Sequence, residues 1–272
     1  MRSIAIINQK GGVGKTTTAV NLSAALADAG QRICLVDLDP QAHASMHLGI
    51  DPTDRPDSVY DVMSGEVGIE GVWRQVNENL VVAPSHIDLA AAEIELAGVV
   101  GREVILRDKL AAVSESFDYL LIDCPPSLGI LTLNALAAVD DVLLPMQPHF
   151  LALHGLSKLL ETVDLVRRRL NGRLRMAGVV FCMYEKATRL AAEVTQDVQR
   201  FFEESRGTNR PWNDVRIFSS RIRRNIRLAE APSFGESIFA YAPNSNGAAD
   251  YRALSEEVLH FYAGVPLAGS VQ

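Results

Sequence analysis

Residues Lys10-Gly-Gly-Val-Gly-Lys15-Thr-Thr17 follow an apolar, strand-like stretch from Ile4 to Ile7 and open a helix-like stretch from Thr16 to Ala29. Strand, glycine-rich turn and helix start together constrain the chain strongly. The glycines let the backbone curl so that successive N–H groups aim at one point. The helix N-terminus adds partial positive charge there, and Lys15 adds a full one. The natural occupant of such a loop is a nucleoside triphosphate, held by Lys10, Gly11, Gly12, Val13, Gly14, Lys15, Thr16 and Thr17.

The chain has 272 residues, 48% of them hydrophobic and 22% charged, enough for one large α/β domain with a buried core. Residues 1–264 are expected to form that domain, with 265–272 as a short tail. No apolar run reaches the ~18 residues a membrane span needs, and the N-terminus reads as a strand rather than a signal peptide. A cytoplasmic location follows as the expectation. Cys34, Cys124 and Cys182 stand apart in apolar contexts without C-x-x-C spacing, which speaks against a disulfide framework, a zinc site or a shared iron–sulfur cluster. The net charge is −7, yet Lys158 to Arg227 holds 16 Lys/Arg against 8 Asp/Glu, so positive charge is concentrated in one part of the chain.

The pattern predicts strands at 3–8, 32–37, 79–83, 118–122, 141–146, 175–182 and 215–218. Helices are expected at 16–29, 87–97, 101–115, 128–138, 152–170, 188–205 and 247–262, with an irregular, partly helical stretch over 40–76. Near-continuous apolar strands such as Ile33-Cys-Leu-Val36 and Tyr119-Leu-Leu-Ile122 suit a mostly parallel twisted sheet flanked by helices on both faces. The stretch Ser205 to Asp214 reads as a surface loop.

In such a sheet, ligands collect at the carboxyl ends of the strands, so carboxylates closing strands are the first candidates. Val36-Asp-Leu-Asp39-Pro-Gln41 and Leu121-Ile-Asp123-Cys-Pro-Pro-Ser127 both qualify. An Asp in this place can simply cap the next helix; two of them beside a phosphate loop suggest more. Magnesium takes hard oxygen ligands and retains waters, so the Thr16 hydroxyl and, through water, Asp123 make a sensible set with the phosphates. Asp39 is the candidate to orient the attacking water, and Asp37, nearer the buried strand, to support the loop.

The loop departs from the usual G-x-x-x-x-G-K-[ST] pattern, with Gln9 in the first glycine position and the additional Lys10 just inside. It resembles the deviant Walker A box of the ParA/MinD group of P-loop ATPases. The blocks Asn8 to Thr17, Val36 to Gln41, Ile122 to Gly129, Leu133-Asn-Ala135 and Arg227 to Gly235 are similar, in the same order, to those of ParA-type partition ATPases. The resemblance implies a single-domain α/β P-loop NTPase that uses ATP and Mg2+. It implies a homodimer with ATP sandwiched at the interface, Lys10 as the lysine that crosses it and Asp39 as the hydrolytic aspartate. It also implies binding of double-stranded DNA without sequence preference, association with the nucleoid, and a ParB-like or cargo-adaptor protein that stimulates slow hydrolysis.

The cluster Arg221-Ile-Arg-Arg224-Asn-Ile-Arg227, with Lys186 and Arg189, carries the DNA expectation. A charge run is ordinarily a solvated face; the resemblance makes Arg189 and Arg224 the first choices, with Arg221, Arg223 and Arg227 undirected. Arg223 and His154 depart from the pattern, standing where the family often has proline and glutamate, which leaves the cargo open among chromosome, plasmid and protein assembly. A MinD-like membrane role would need a basic amphipathic C-terminus, whereas Leu259 to Gln272 contains neither Lys nor Arg. A metabolic ATP-dependent ligase or kinase is the alternative from another class, and no distinct substrate motif marks it. For the adenine, the loops around Met183 and Pro243 are the places to look.

Overall fold

The computed structural model describes residues 1–54, 57–65, 67–149, 155–185 and 188–264. The chain runs from β1 (Arg2–Ile6) and α1 (Lys15–Asp28) to β2 (Ile33–Asp37), α2 (His43–His47) and α3 (Val59–Ser64). It continues through β3 (Arg74–Asn77), β4 (Leu80–Ala83), α4 (Leu89–Glu95), α5 (Ile105–Ala111), β5 (Tyr119–Asp123) and α6 (Ile130–Ala138). Then follow β6 (Asp141–Met146), α7 (Leu156–Arg169), β7 (Arg175–Tyr184), α8 (Arg189–Glu203) and β8 (Arg216–Arg223), with α9 (Ile226–Glu230), α10 (Ile238–Tyr241) and α11 (Asn246–Ala263) closing the fold.

The strands form one eight-stranded sheet in the order β3-β4-β2-β5-β1-β6-β7-β8. Every pairing is parallel except the β3–β4 hairpin at one edge. Alternation along the central strands splits the core into two layers. Ala5, Cys34, Val36 and Ile122 pack beneath α3 to α8. Ile4, Ile6, Ile33, Leu35 and Leu121 pack beneath α1 and the C-terminal helices, where Tyr251 and Leu254 of α11 are buried. Asn134 ties α6 to its neighbour: its side-chain oxygen accepts from the Leu106 N–H at 3.1 Å and its amide donates to the Arg102 carbonyl at 2.7 Å.

Three boundaries differ from the sequence reading for physical reasons. β3 begins inside the stretch 40–76 read as irregular and runs one residue past it; the sequence does not mark it because Arg-Gln-Val-Asn is half exposed on an edge and carries no apolar run. α4 and α5 are each seven residues long, shorter than the two helices expected over 87–97 and 101–115. β8 extends to Arg223 rather than stopping at 218, because the edge is sealed by side chains of α11. Glu257 accepts from the Ser219 and Ser220 N–H groups at 2.9–3.2 Å, and Asp250 from the Arg223 N–H at 2.9 Å. An open sheet edge invites pairing with other chains, and these carboxylates occupy the donors. The tail 265–272, Lys186 and His154 lie outside the described residues.

Candidate functional site

The glycines of the loop adopt the conformations that the sequence requires of them. Gly12 (φ +71°) and Gly14 (φ +93°) are left-handed, so a side chain at either would strain the turn. Asn8 braces the entry, donating to the Pro145 carbonyl at 2.8 Å and accepting from the Lys10 N–H at 3.0 Å. Beneath the loop, Thr18 shares a hydrogen bond with the Tyr251 hydroxyl at 3.2 Å, anchoring α1 to α11.

Parallel register then assembles the acidic groups. Ile6 of β1 and Asp37 of β2 are both register partners of Asp123 of β5, so the two carboxylates end neighbouring strands. Both are fully buried. Burial pushes Asp37 up to about 6, and burial reinforced by Asp37 raises Asp123 well above the usual carboxylate range, with the Thr16 hydroxyl and Lys15 acting the other way. Burial lowers Lys15, while Asp123 and Asp39 hold it up in part. Asp37 belongs to the loop: it accepts from the Ser45 N–H at 2.8 Å, the Ser45 hydroxyl at 2.7 Å and the Asp39 N–H at 3.3 Å. Asp123 differs: the Thr16 hydroxyl lies near it, yet neither of its buried carboxylate oxygens receives a hydrogen bond of normal geometry among the described residues. Such orphaned acceptors fit a hydrated divalent cation, whose waters would donate to them.

Lys15, Thr16, Asp39, Pro126, Met183 and Arg224 face one another across a cleft of about 880 Å³ at the carboxyl ends of the strands. Gly11, Gly12, Gly14 and Thr17 line it as well, whereas Val13 is buried in the protein and Lys10 is exposed outside the lining. Lys15 bends back to donate to the Lys10 carbonyl at 3.3 Å, a contact that a phosphate oxygen in the loop would replace. Asp39 accepts from the Gln41 N–H at 3.0 Å through one oxygen. Of the loops expected to meet adenine, the one at Met183 lines the cleft, with an unusual φ of +50°, and Pro243 does not. Asn225, Ile226 and Tyr251 also line it. No local signal marks them, because they come from segments more than 200 residues from the loop.

The expected DNA arginines separate into two groups. Arg221 and Arg223 are tied into the fold. Arg221 lies over the Phe181 and Tyr184 rings at 5.1 and 5.7 Å and donates to the Phe218 and Ser220 carbonyls. Arg223 grips the buried Asp250, with its closest contact at 2.6 Å. Arg189, Arg224 and Arg227 stand on the surface, with side chains 93%, 76% and 54% exposed. Each has only a surface glutamate as ion-pair partner, Glu193 at 3.2 Å, Glu185 at 3.3 Å and Glu230 at 2.7 Å respectively. Exposed pairs of this kind contribute little and exchange readily for a phosphate. Cys34, Cys124 and Cys182 are buried free thiols, and among the described residues no cluster of metal-ligating side chains forms. Among them, too, no helix is long and apolar enough to cross a membrane.

A family profile described as an AAA domain matches residues 1–176. The sporulation initiation inhibitor protein Soj of Bacillus subtilis is 46% identical over 256 residues, spanning 94% of this chain and 97% of its own. The chromosome partitioning protein ParA of Myxococcus xanthus is 42% identical over 259 residues, covering 95% and 88%. Among solved structures, a cobyrinic acid a,c-diamide synthase from Mycobacterium smegmatis with bound ATP analog and magnesium superposes with a TM-score of 0.81. It is 35% identical and covers 97% of this chain and 96% of its own. The phosphate loop, the paired strand-end carboxylates and this similarity over nearly the whole length agree: the chain belongs to the ParA/Soj family of chromosome-partitioning ATPases.

Proposed function

We propose that this protein is an ATP-driven switch: a monomer when free or bound to ADP, and with ATP a dimer that binds DNA without sequence preference. A partner then triggers hydrolysis, and the cycle positions a chromosome or another large cargo along the nucleoid. The observation that carries the reading is the contrast between two lysines. Lys15 is buried at its own cleft, while Lys10, five residues earlier on the same loop, is exposed outside it. A cation so placed is available to the phosphates of a second subunit.

Within each cleft the loop N–H groups and Lys15 hold the ATP phosphates, and the Thr16 hydroxyl with Asp123 holds Mg2+, whose charge offsets that of the phosphates. Asp39 orients the attacking water. Arg189, Arg224 and Arg227 contact DNA phosphates, which gives salt-sensitive binding without base readout. Slow intrinsic turnover fits a cleft in which Lys15 and the loop are the main donors of charge stabilisation, to be completed by Lys10 of a second copy and by the partner.

The test is Lys10→Ala, followed by light scattering with ATP, ADP and no nucleotide. The variant is expected to bind ATP and stay monomeric, while the parent chain doubles in mass with ATP alone. Dimerisation that survives in Lys10→Ala would reject the sandwich. The named synthase among the structural relatives keeps an ATP-dependent ligase as a second reading. It calls for ATP-dependent conversion of a carboxylic acid to its amide without DNA, and the same preparation can be assayed for it.

A further inference from the structure

The opposite end of the sheet has a chemistry that the nucleotide cycle leaves unused. Arg175 opens β7 and Arg216 opens β8, so both lie at the amino ends of strands whose carboxyl ends reach the cleft. The run Arg167-Arg168-Arg169 forms the last turn of α7, and the loop 205–214 adds Arg206 and Arg210.

Arg167, Arg173, Arg175 and Arg210 together line a cavity of about 260 Å³, along with Asn209 and Asn213. Asp214 is the one carboxylate among the described residues of that lining, and it accepts from the Asn213 amide at 3.0 Å. The arginines are unequally satisfied. Arg175 is fixed by the buried Asp141 at 2.7 Å. Arg210 shares Asp164 with Arg168, each at 3.0 Å, so one carboxylate serves two guanidinium groups. Arg173 meets Asp140 at 3.5 Å while its side chain is 82% exposed. Arg167 has no carboxylate partner among the described residues, and donates only to the Asn209 carbonyl and side-chain oxygen at 3.3 and 3.4 Å.

A guanidinium has five N–H donors, so most of the donors in this cavity are unclaimed by protein. In the adjoining cavity of about 490 Å³, lined also by Arg206, Glu203 and Asp214, Arg216 presents a buried Nη1 without an acceptor among the described residues, its guanidinium 5.2 Å above the Phe261 ring. A buried charged donor left unmatched is costly, and an anion is the group that matches it.

We propose that this end of the sheet binds the phosphate groups of a polyanion, either a nucleic-acid backbone or free inorganic polyphosphate, at a site separate from the nucleotide cleft. The ten residues of β7 separate the two ends by roughly 30 Å. With a nucleic acid as ligand, one protomer holds two phosphate backbones at once, one beside Arg224 and one beside Arg167.

The experiment uses the full chain carrying Arg189→Ala, Arg224→Ala and Arg227→Ala, which removes the exposed arginines of the cleft end, with and without Arg167→Gln and Arg173→Gln. The two glutamines replace lightly bonded side chains, Arg167 half-buried and Arg173 exposed. A urea midpoint and a far-ultraviolet circular dichroism spectrum that are the same with and without the glutamines establish that the fold is intact. A labelled arbitrary-sequence duplex and a labelled polyphosphate are titrated in parallel across salt. The expected result is residual, salt-sensitive binding that weakens about tenfold with the glutamines, the salt slope falling by about 2. Polyphosphate binding that needs Arg167 and Arg173, without duplex binding, assigns the site to the free polyanion. No binding of either probe to the parent, or binding indifferent to the glutamines, overturns the proposal. ATP-dependent duplex binding by the wild type is read separately, so loss of this site and loss of the partition reading are distinguishable.

Discussion

His47 gives a quantitative test of how the segment after Asp39 is packed. It ends α2, is 2% exposed, and its Nε2 has no hydrogen-bond partner among the described residues. Burial lowers its pKa to about 4, with the backbone of Glu236 acting the other way. An ordinary histidine takes up its proton near pH 6.5. Between these values the unfolded chain binds a proton that the folded chain refuses, so stability falls as pH falls from 6.5 towards 4. Between pH 7.5 and pH 5 the loss from this one group comes to about 2 kcal/mol. Asp37, raised to about 6, and Asp123, also raised, act in the opposite sense: the folded state protonates them first, so lowering the pH through their range adds stability. Those groups are common to the wild type and to His47→Gln, and drop out when the two are compared. Urea unfolding at pH 7.5, 6.5, 5.5 and 5.0 is therefore expected to show the stability of wild type relative to the variant declining by about 2 kcal/mol across the series. Two curves that stay parallel would refute the reasoning and place His47 in contact with water or an acceptor.

The packing of β7 against β8 predicts that Gly178→Ala is poorly tolerated, since a Cβ there would lie 2.3 Å from the Phe218 ring and 2.8 Å from the Arg216 carbonyl. A loss of at least about 2 kcal/mol is expected by urea denaturation, and a loss below about 0.5 kcal/mol, on the order of a neutral surface change, would contradict the close approach. Arg223→Ala is expected to cost roughly 1–2 kcal/mol of stability, because it strips a buried carboxylate of its partner. Arg189→Ala is expected to leave the urea midpoint unchanged and to weaken duplex binding. The opposite pattern would exchange the structural and DNA-contacting roles of these two arginines.

Much of the fold was legible because its signals are local. Ile4 to Ile7, Ile33 to Val36 and Tyr119 to Ile122 are apolar runs too short for helices and bounded by turn residues, and each forms a strand of the sheet, the first ending at Ile6. The turn of the loop was legible at Gly12 and Gly14, since only glycine takes their backbone conformation without strain. Asp37 and Asp39 were separable by distance from the strand, and the structure buries Asp37 among Ser45 donors while Asp39 lines the cleft.

What was not legible depends on long-range partners. Arg221-Ile-Arg-Arg looks like a basic surface run, yet the strand turns Ile222 into the core and gives Arg223 to Asp250, 27 residues later. The sealing of β8 by Glu257 and Asp250 leaves no mark on the strand's own sequence. The helix starting at Ile226 begins with Asn225, whose side chain accepts from the Arg227 N–H at 2.8 Å, a capping signal hidden within the arginine cluster.

The central claim, that nucleotide state controls a DNA-binding surface, is tested most directly by one titration. A labelled duplex of arbitrary sequence is titrated with wild type and with Arg224→Glu, in ATP, in ADP and without nucleotide, at several salt concentrations. Tight, salt-sensitive binding in ATP alone, lost in Arg224→Glu, is the predicted result. Binding by the wild type that is equal in all three nucleotide states, or absent from all of them, would contradict the account.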